Sequence, residues 1–477
     1  LRILLLLFAA GSIISCHSDA LLEPEMQETR IQRDTLVPHS GIYNAPNGKN
    51  FFIVGDTTHF YKEWNIKREA LDTKTIEILK GGIDDPDLKG KPFRMIVTGG
   101  GISAGVRNGG YNNENMMTSF PNLIANQMGI EFNQPYFDKD SYNGYGTLLS
   151  STFNPTGGLL PKFKYVTNNL GLITSKEGNS YELMPLKRGD RVDNFSMRVF
   201  KGFRFTPSNL NERELTYERL IKNAEKVAGS YTERILQEKF DFIIEASNLS
   251  IDNYTGFNWG MEQSFPNGFE GYVDERKNCM GPCHPKFSDK INFLLELKKR
   301  TGVKGVLFTS MPTYELPFLN VFKPAEVRSI LEIYQRSYLL DPLSTRLLPS
   351  TTLDSLIGNK VNIILKPYVS LNREAKIPGI KYTEGDYPSK NHISEVYSLG
   401  KQLNWAVVDL AEIFSRVIKG SYISPDGFKV DTSIFFSEDG IYLSSLGQAV
   451  IANETIKSIN AHYKTRIPLI NTRDFLK

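Results

Sequence analysis

Along the chain, short apolar runs are followed by turn residues and then by stretches that are apolar at every third or fourth position. "FRMIVT" (Phe93–Thr98) precedes "TSFPNLIANQMG", in which Phe120, Leu123, Ile124 and Met128 share one helical face. "FDFIIEA" (Phe240–Ala246) follows a long helical pattern from Asn211 to Lys239. "KGVLFTSMP" (Lys304–Pro312) follows "SDKINFLLELKKRTG", an amphipathic helix closed by Gly302. "LNWAVVDL" (Leu403–Leu410) follows the helical "ISEVYSLGKQ", and "SSLGQAVIANETIKSINAHY" predicts a terminal helix that starts at Ser444 or Ser445. Strands alternating with helices over this distance predict an α/β protein with a parallel sheet covered on both faces. From about 130 to 210, and again from 340 to 390, the pattern dissolves into Gly, Asn, Tyr and Pro, which predicts long insertions on that core.

The 477 residues, 40% hydrophobic and 23% charged, allow one large decorated domain or two smaller ones. A net charge of +3, with acids and bases interspersed and no Lys/Arg–aromatic stripe, argues against nucleic acid as a partner.

The amino terminus, "LRILLLLFAAGSIISC", carries Arg2, an apolar run too short for a comfortable bilayer span, and small residues before Cys16. Residues 1–16 therefore read as a lipoprotein signal peptide whose Cys16 is acylated. That thiol would tether the body to a membrane, since several acyl chains hold where one holds only marginally. Residues 17–88 read as a tether and amino-terminal extension, and 89–477 as the folded domain with its two insertions. The acids Asp19, Glu23 and Glu25 after Cys16 resemble the export signals that send Bacteroidota lipoproteins to the cell surface.

Cys279 and Cys283, in "NCMGPCHPKF", read as a local disulfide in an oxidising compartment. The other reading, a metal site with His284, lacks a fourth ligand nearby. No metal is expected.

In an open α/β sheet, function sits at the carboxyl ends of the strands. "TGGGIS", "EASNLS", "TSMPTYELP" and the later "FFSEDGIYLSSLGQA" mark such positions. "TGGG" invites a phosphate-loop reading, but no Lys-Ser/Thr follows and no Gly-x-Gly-x-x-Gly is present, so no nucleotide cofactor is expected.

The segments "GGGISAG", "NGGYNNENMMTSFPNLIANQMGIEFNQPYF", "GVKGVLFTSMPTYELPFLN" and "FSEDGIYLSSLGQAVIANETIKSINAHYKTRIPLIN", in this order, resemble the SGNH (GDSL-type) hydrolase lipoproteins of Bacteroidota. The resemblance runs from about 90 to 475. It implies an SGNH-hydrolase (flavodoxin-like) three-layer fold with a central parallel sheet and long loop insertions. It also places the family's catalytic serine on Gly101, its general-base histidine on Tyr442 and its orienting aspartate on Asp439. The family's oxyanion glycine falls on Val199 in "NFSMRV", and the Gly-x-Asn-Asp block falls on "ASNL", which keeps Asn248 but has Ala246 and Leu249 in place of glycine and aspartate.

Ester hydrolysis by that route needs a hydroxyl to attack and an imidazole to take its proton. Glycine offers no nucleophile, and a phenol with a reference pKa of about 10 is a poor base. Ser103 reads as a cap or turn hydroxyl, and Ser247 and Ser250 as loop hydroxyls. His17, His39, His59, His284, His392 and His462 fall outside the family's catalytic position, with His462 expected on the surface. The expectation is a catalytically inactive outer-membrane lipoprotein. It would serve as an accessory or scaffold subunit beside outer-membrane β-barrel proteins or other envelope lipoproteins, or as a ligand-binding module, with a glycan as one candidate ligand. The rival expectation is a residual esterase on acylated glycans or lipids with a relocated nucleophile.

Overall fold

The computed structural model describes residues 41–44, 50–53, 64–81, 86–107, 110–137, 144–145, 148–152, 162–165, 172–174, 181–187, 189–198, 200, 202–206, 214–223, 229–249, 287–312, 317, 363–364, 370–371, 390–437, 440 and 442–476. Four parallel strands form the central sheet: β1 (Met95–Gly99), β2 (Phe242–Ala246), β3 (Lys304–Phe308) and β4 (Ala406–Val408), in the spatial order β4-β3-β2-β1. These are the four apolar runs read from the sequence.

A further extended segment flanks β1 on its open side. Val97 N donates to Asp193 O at 2.9 Å, Phe195 N to Val97 O at 2.8 Å and Met197 N to Gly99 O at 2.9 Å. Asn194 is a parallel bridge partner of Val97. Residues 193–197 thus lie against the sheet, inside the span from 130 to 210 that the sequence marks as insertion. Along the chain the path is β1, then out to 193–197 on one side, then back across to β2, β3 and β4. The switch of direction falls between β1 and β2, where an open sheet leaves a crevice at the strand ends.

Both faces of every strand are apolar. Met95, Val97, Phe242, Ile244, Val306, Phe308, Ala406 and Val408 enter one core, while Ile96, Ile243 and Leu307 enter the other and the half-buried Val407 packs against it. Alternation with period two accounts for the split. The first core is closed by α1 (Thr73–Leu79), α3 (Phe120–Met128), α8 (Leu410–Ile418) and α9 (Ser445–Tyr463). The second is closed by α4 (Leu215–Asn223), α5 (Tyr231–Leu236), α6 (Phe287–Thr301) and α7 (Lys390–Leu403). The result is helices, sheet, helices. A single-turn helix, α2 (Gly101–Ala104), follows β1 directly.

Two expectations shift. The boundary at 89 moves back, because residues 64–81 belong to the folded body. Ile76 and Leu79 enter the first core, and Trp64 stacks on Phe475 with ring centroids 5.5 Å apart. The single helix expected from 211 to 239 is two. Ser230 opens α5 with a capping box: Glu233 N donates to Ser230 Oγ at 3.2 Å and Ser230 N donates to the Glu233 carboxylate at 2.6 Å. That reciprocal pair satisfies two backbone donors and starts a new helix.

α9 is buried on nearly every side of its first four turns, which suits a helix laid across a sheet under other elements. Ser444 caps it, accepting from Gly447 N at 3.0 Å. Gly447 has to be a glycine on packing grounds, since a Cβ there would lie 2.0 Å from the Phe435 carbonyl oxygen.

Candidate functional site

β1 ends in three glycines. The first turn of α2 closes through Ala104 N to Gly100 O at 2.9 Å and Val106 N to Gly101 O at 2.8 Å. Ser103 is fully buried, and its hydroxyl donates to Gly100 O at 2.9 Å, so it acts as a turn hydroxyl inside α2. Its carbonyl is held by Asn194 Nδ2 at 2.9 Å, and the same amide donates to Gln134 Oε1 at 2.9 Å.

Gly101 and Tyr442 are brought together. A Cβ built on Gly101 would lie 2.8 Å from Tyr442 Cε1, 3.1 Å from its hydroxyl oxygen and 2.8 Å from Arg198 O. Real Cβ atoms do not approach other atoms that closely, so the ring takes the volume a side chain at 101 would need. Tyr442 is 3% exposed and enters the first core. Its backbone is fixed by Ser437, whose N donates to Tyr442 O at 2.8 Å and whose Oγ donates to it at 3.1 Å. Gly440, at φ 68°, makes the turn between them, as the Asp-Gly pair in the sequence suggests.

At the end of β2, Asn248 is buried and its Nδ2 donates to Phe308 O at 2.7 Å, tying β2 to β3. Beside it is a constellation that the sequence reading passed over. Glu245, fully buried, forms an ion pair with Lys290 of α6, itself buried. Glu245 Oε1 accepts from Ser247 N at 2.9 Å, and Lys290 Nζ donates to Ser247 Oγ at 3.3 Å. A serine next to a lysine suggests a nucleophile with its base. Here Lys290 is committed to a carboxylate and donates a hydrogen bond to the hydroxyl oxygen, which is a positioning contact. Behind these strand ends, Tyr231 donates to Phe195 O at 2.8 Å, and burial holds its phenol well above the ordinary tyrosine range.

Gln448 on α9 is a second residue whose role no motif announced. Fully buried, it accepts from Phe120 N at 2.9 Å and donates to Ile102 O at 3.1 Å, joining α9 to the start of α3 and to α2. Arg107 does similar work beside it, donating to Ser445 Oγ at 2.5 Å, Thr118 Oγ1 at 2.5 Å and Asn115 O at 3.1 Å.

Val199, Asp439, Ser250, Cys16, Cys279 and Cys283 lie outside the described residues. His462 is exposed, with Nε2 3.1 Å from Asn404 O at the opposite edge of the sheet. Among the described residues no histidine side chain stands at Gly101, and no group of three or more His, Cys, Asp or Glu could hold a metal. No described helix is long and apolar enough to cross a membrane. What the site offers is a strand end, a one-turn helix and a ring seated where a side chain at 101 would stand. Comparison with protein-family models, with curated proteins and with solved structures finds no match to this chain.

Proposed function

We propose that this protein is a catalytically inactive, lipid-anchored outer-membrane protein with an SGNH-hydrolase fold, working as an accessory or scaffold subunit of an outer-membrane complex. Support for the fold comes from the order of the strands. Counting residues 193–197, the order is the 2-1-3-4-5 pattern of flavodoxin-like sheets, and the motifs that resemble the family sit at its carboxyl ends. One observation carries the inactive reading: the Tyr442 ring occupies the space that a side chain at position 101 would need. A hydrolase needs a hydroxyl there and a base beside it, and both the atoms and the room are gone.

The same contact favours a scaffold over a small-ligand module. A glycan seated in this crevice would first have to displace a buried aromatic side chain, which costs several kcal/mol of packing, about 3–5 by analogy with large-to-small core changes. The test is assembly. Chain purified from outer membrane in mild detergent should run on native gels as a complex of fixed stoichiometry with an envelope protein. Recovery of the chain alone, across several detergents and after crosslinking, would defeat the subunit reading.

A further inference from the structure

The strand starts lie at the edge of the sheet opposite the candidate site, and that edge is basic. α6 brings Lys298 and Lys299 there in its last turn, and Lys304 is the first residue of β3. α9 ends beside them. The Tyr463 hydroxyl donates to Gly305 O at 2.8 Å and accepts from Gly305 N at 3.1 Å, and Lys464 and Arg466 follow directly. Lys401 closes α7, its carbonyl accepting from Asn404 N at 3.2 Å, and Trp405 Nε1 donates to Val303 O at 3.0 Å, joining the starts of β3 and β4. Cations at helix ends complement the helix dipole, and because α6, α7 and α9 all end at the strand starts, their cations collect on this one edge. Lys298 Nζ also donates to Val303 O at 3.2 Å and Lys464 Nζ to Ala461 O at 2.7 Å.

Three acids near this edge are engaged. Glu77 pairs with Lys80 at 2.6 Å and Glu296 with Arg300 at 2.5 Å. Asp241 is buried and accepts from Arg94 N at 2.9 Å. Among the described residues no acid lies in salt-bridge reach of Lys298, Lys299, Lys304, Lys401, Lys464 or Arg466. Burial, with repulsion from Lys304 added, holds the Lys298 ammonium below the ordinary lysine range. Residues 69–78 also run along this edge. Glu69 N donates to Asn126 O at 2.9 Å, Arg466 N to Thr75 Oγ1 at 3.5 Å, and Lys304 Nζ to Ile78 O at 2.5 Å.

We propose that this basic edge docks on the phosphate headgroups of an anionic bilayer, the membrane to which Cys16 ties the chain. The inference rests on the lipid-anchored reading above. Five of the six cations are lysines, compact point charges suited to diffuse phosphate rather than to paired recognition of a planar carboxylate. Each basic side chain near an anionic surface strengthens partitioning about fivefold, and the attraction fades within a Debye length of roughly 8–10 Å at moderate salt.

The test adds the full chain to vesicles of phosphatidylcholine with and without phosphatidylglycerol, floats them, and reads lysine acetylation by mass spectrometry. The chain should float with both vesicles through its anchor, while Lys298, Lys299, Lys401 and Lys464 become several-fold less reactive only on the anionic ones. High salt should abolish that protection, and the variant Lys299→Glu/Lys464→Glu should lose it at Lys298 and Lys401. Flotation with both vesicles and equal reactivity would overturn the docking and leave the anchor standing. Flotation with anionic vesicles alone would support docking and remove the anchor. Protection by polyglutamate as strong as by anionic vesicles would overturn the assignment to lipid.

Discussion

The Tyr442 ring lies 2.8 Å from where a side chain on Gly101 would begin, so these two positions share one side chain's worth of space. The chain spends that space on tyrosine. A hydroxymethyl group at 101 and a ring at 442 cannot both be accommodated without movement of the segment that carries one of them.

Substituting Gly101 by Ala should therefore destabilise the fold by overpacking, by about 1–3 kcal/mol. Pairing it with Tyr442→Ala should recover only part of the loss, because Arg198 O is also 2.8 Å from the added carbon and is backbone. Urea denaturation of the two singles and the double reads this directly, and strict additivity of the two losses would contradict the shared space.

Gln448 links three elements through two buried hydrogen bonds. Replacing it with Leu leaves Phe120 N unpaired in the core, at about 1–3 kcal/mol, while Ile102 O keeps its bond from Gly105 N at 3.2 Å. A loss within the noise of a surface substitution would mean that the latch is dispensable. Gly447→Ala should cost at least as much as Gly101→Ala, since its added carbon meets the Phe435 carbonyl at 2.0 Å.

Lys290→Met strands the Glu245 carboxylate in the core and should cost about 3–5 kcal/mol, whereas adding Glu245→Leu should return much of it. Equal stability of the Lys290→Met single and the double would show that the ion pair carries no such coupling.

Burial pushes the Tyr217 phenol up to about 12, with Glu233 adding to the shift and Arg234 opposing it. In the unfolded chain a phenol titrates near 10. The folded state thus favours the neutral form, and its contribution is complete below a pH of about 10 and is lost as pH rises toward about 12. Among the described residues the buried Tyr217 hydroxyl has no hydrogen-bond partner, so Tyr217→Phe should hold or raise stability at neutral pH and flatten the alkaline decline. An alkaline profile unchanged by the substitution would assign the decline to other groups.

The sheet was legible because its four strands are apolar on both faces and bounded by turn residues, as in "FRMIVT" before its glycines. Residues 193–197 were not, since a short edge segment with Asn194 and Ser196 among its apolar positions carries no distinctive period. The break at Ser230 was written locally, in the Ser-x-x-Glu of a capping box, but the helical periodicity on either side hides it. At the site, the absence of a hydroxyl at 101 and an imidazole at 442 could be read from single letters. That Gly101 and Tyr442 interlock could not, because only folding brings α2 and the turn before α9 together. Gln448, Arg107 and the Glu245–Lys290 pair were invisible for the same reason: a buried polar residue announces its partners only through tertiary contact.

The central claim is that the site at Gly101 is chemically silent, and reaction of the intact, detergent-purified chain with a fluorophosphonate probe tests it most directly. The account predicts no labelling and no turnover of p-nitrophenyl esters. Stoichiometric labelling of a serine, abolished by changing that serine, Ser103→Ala first among them, would contradict it.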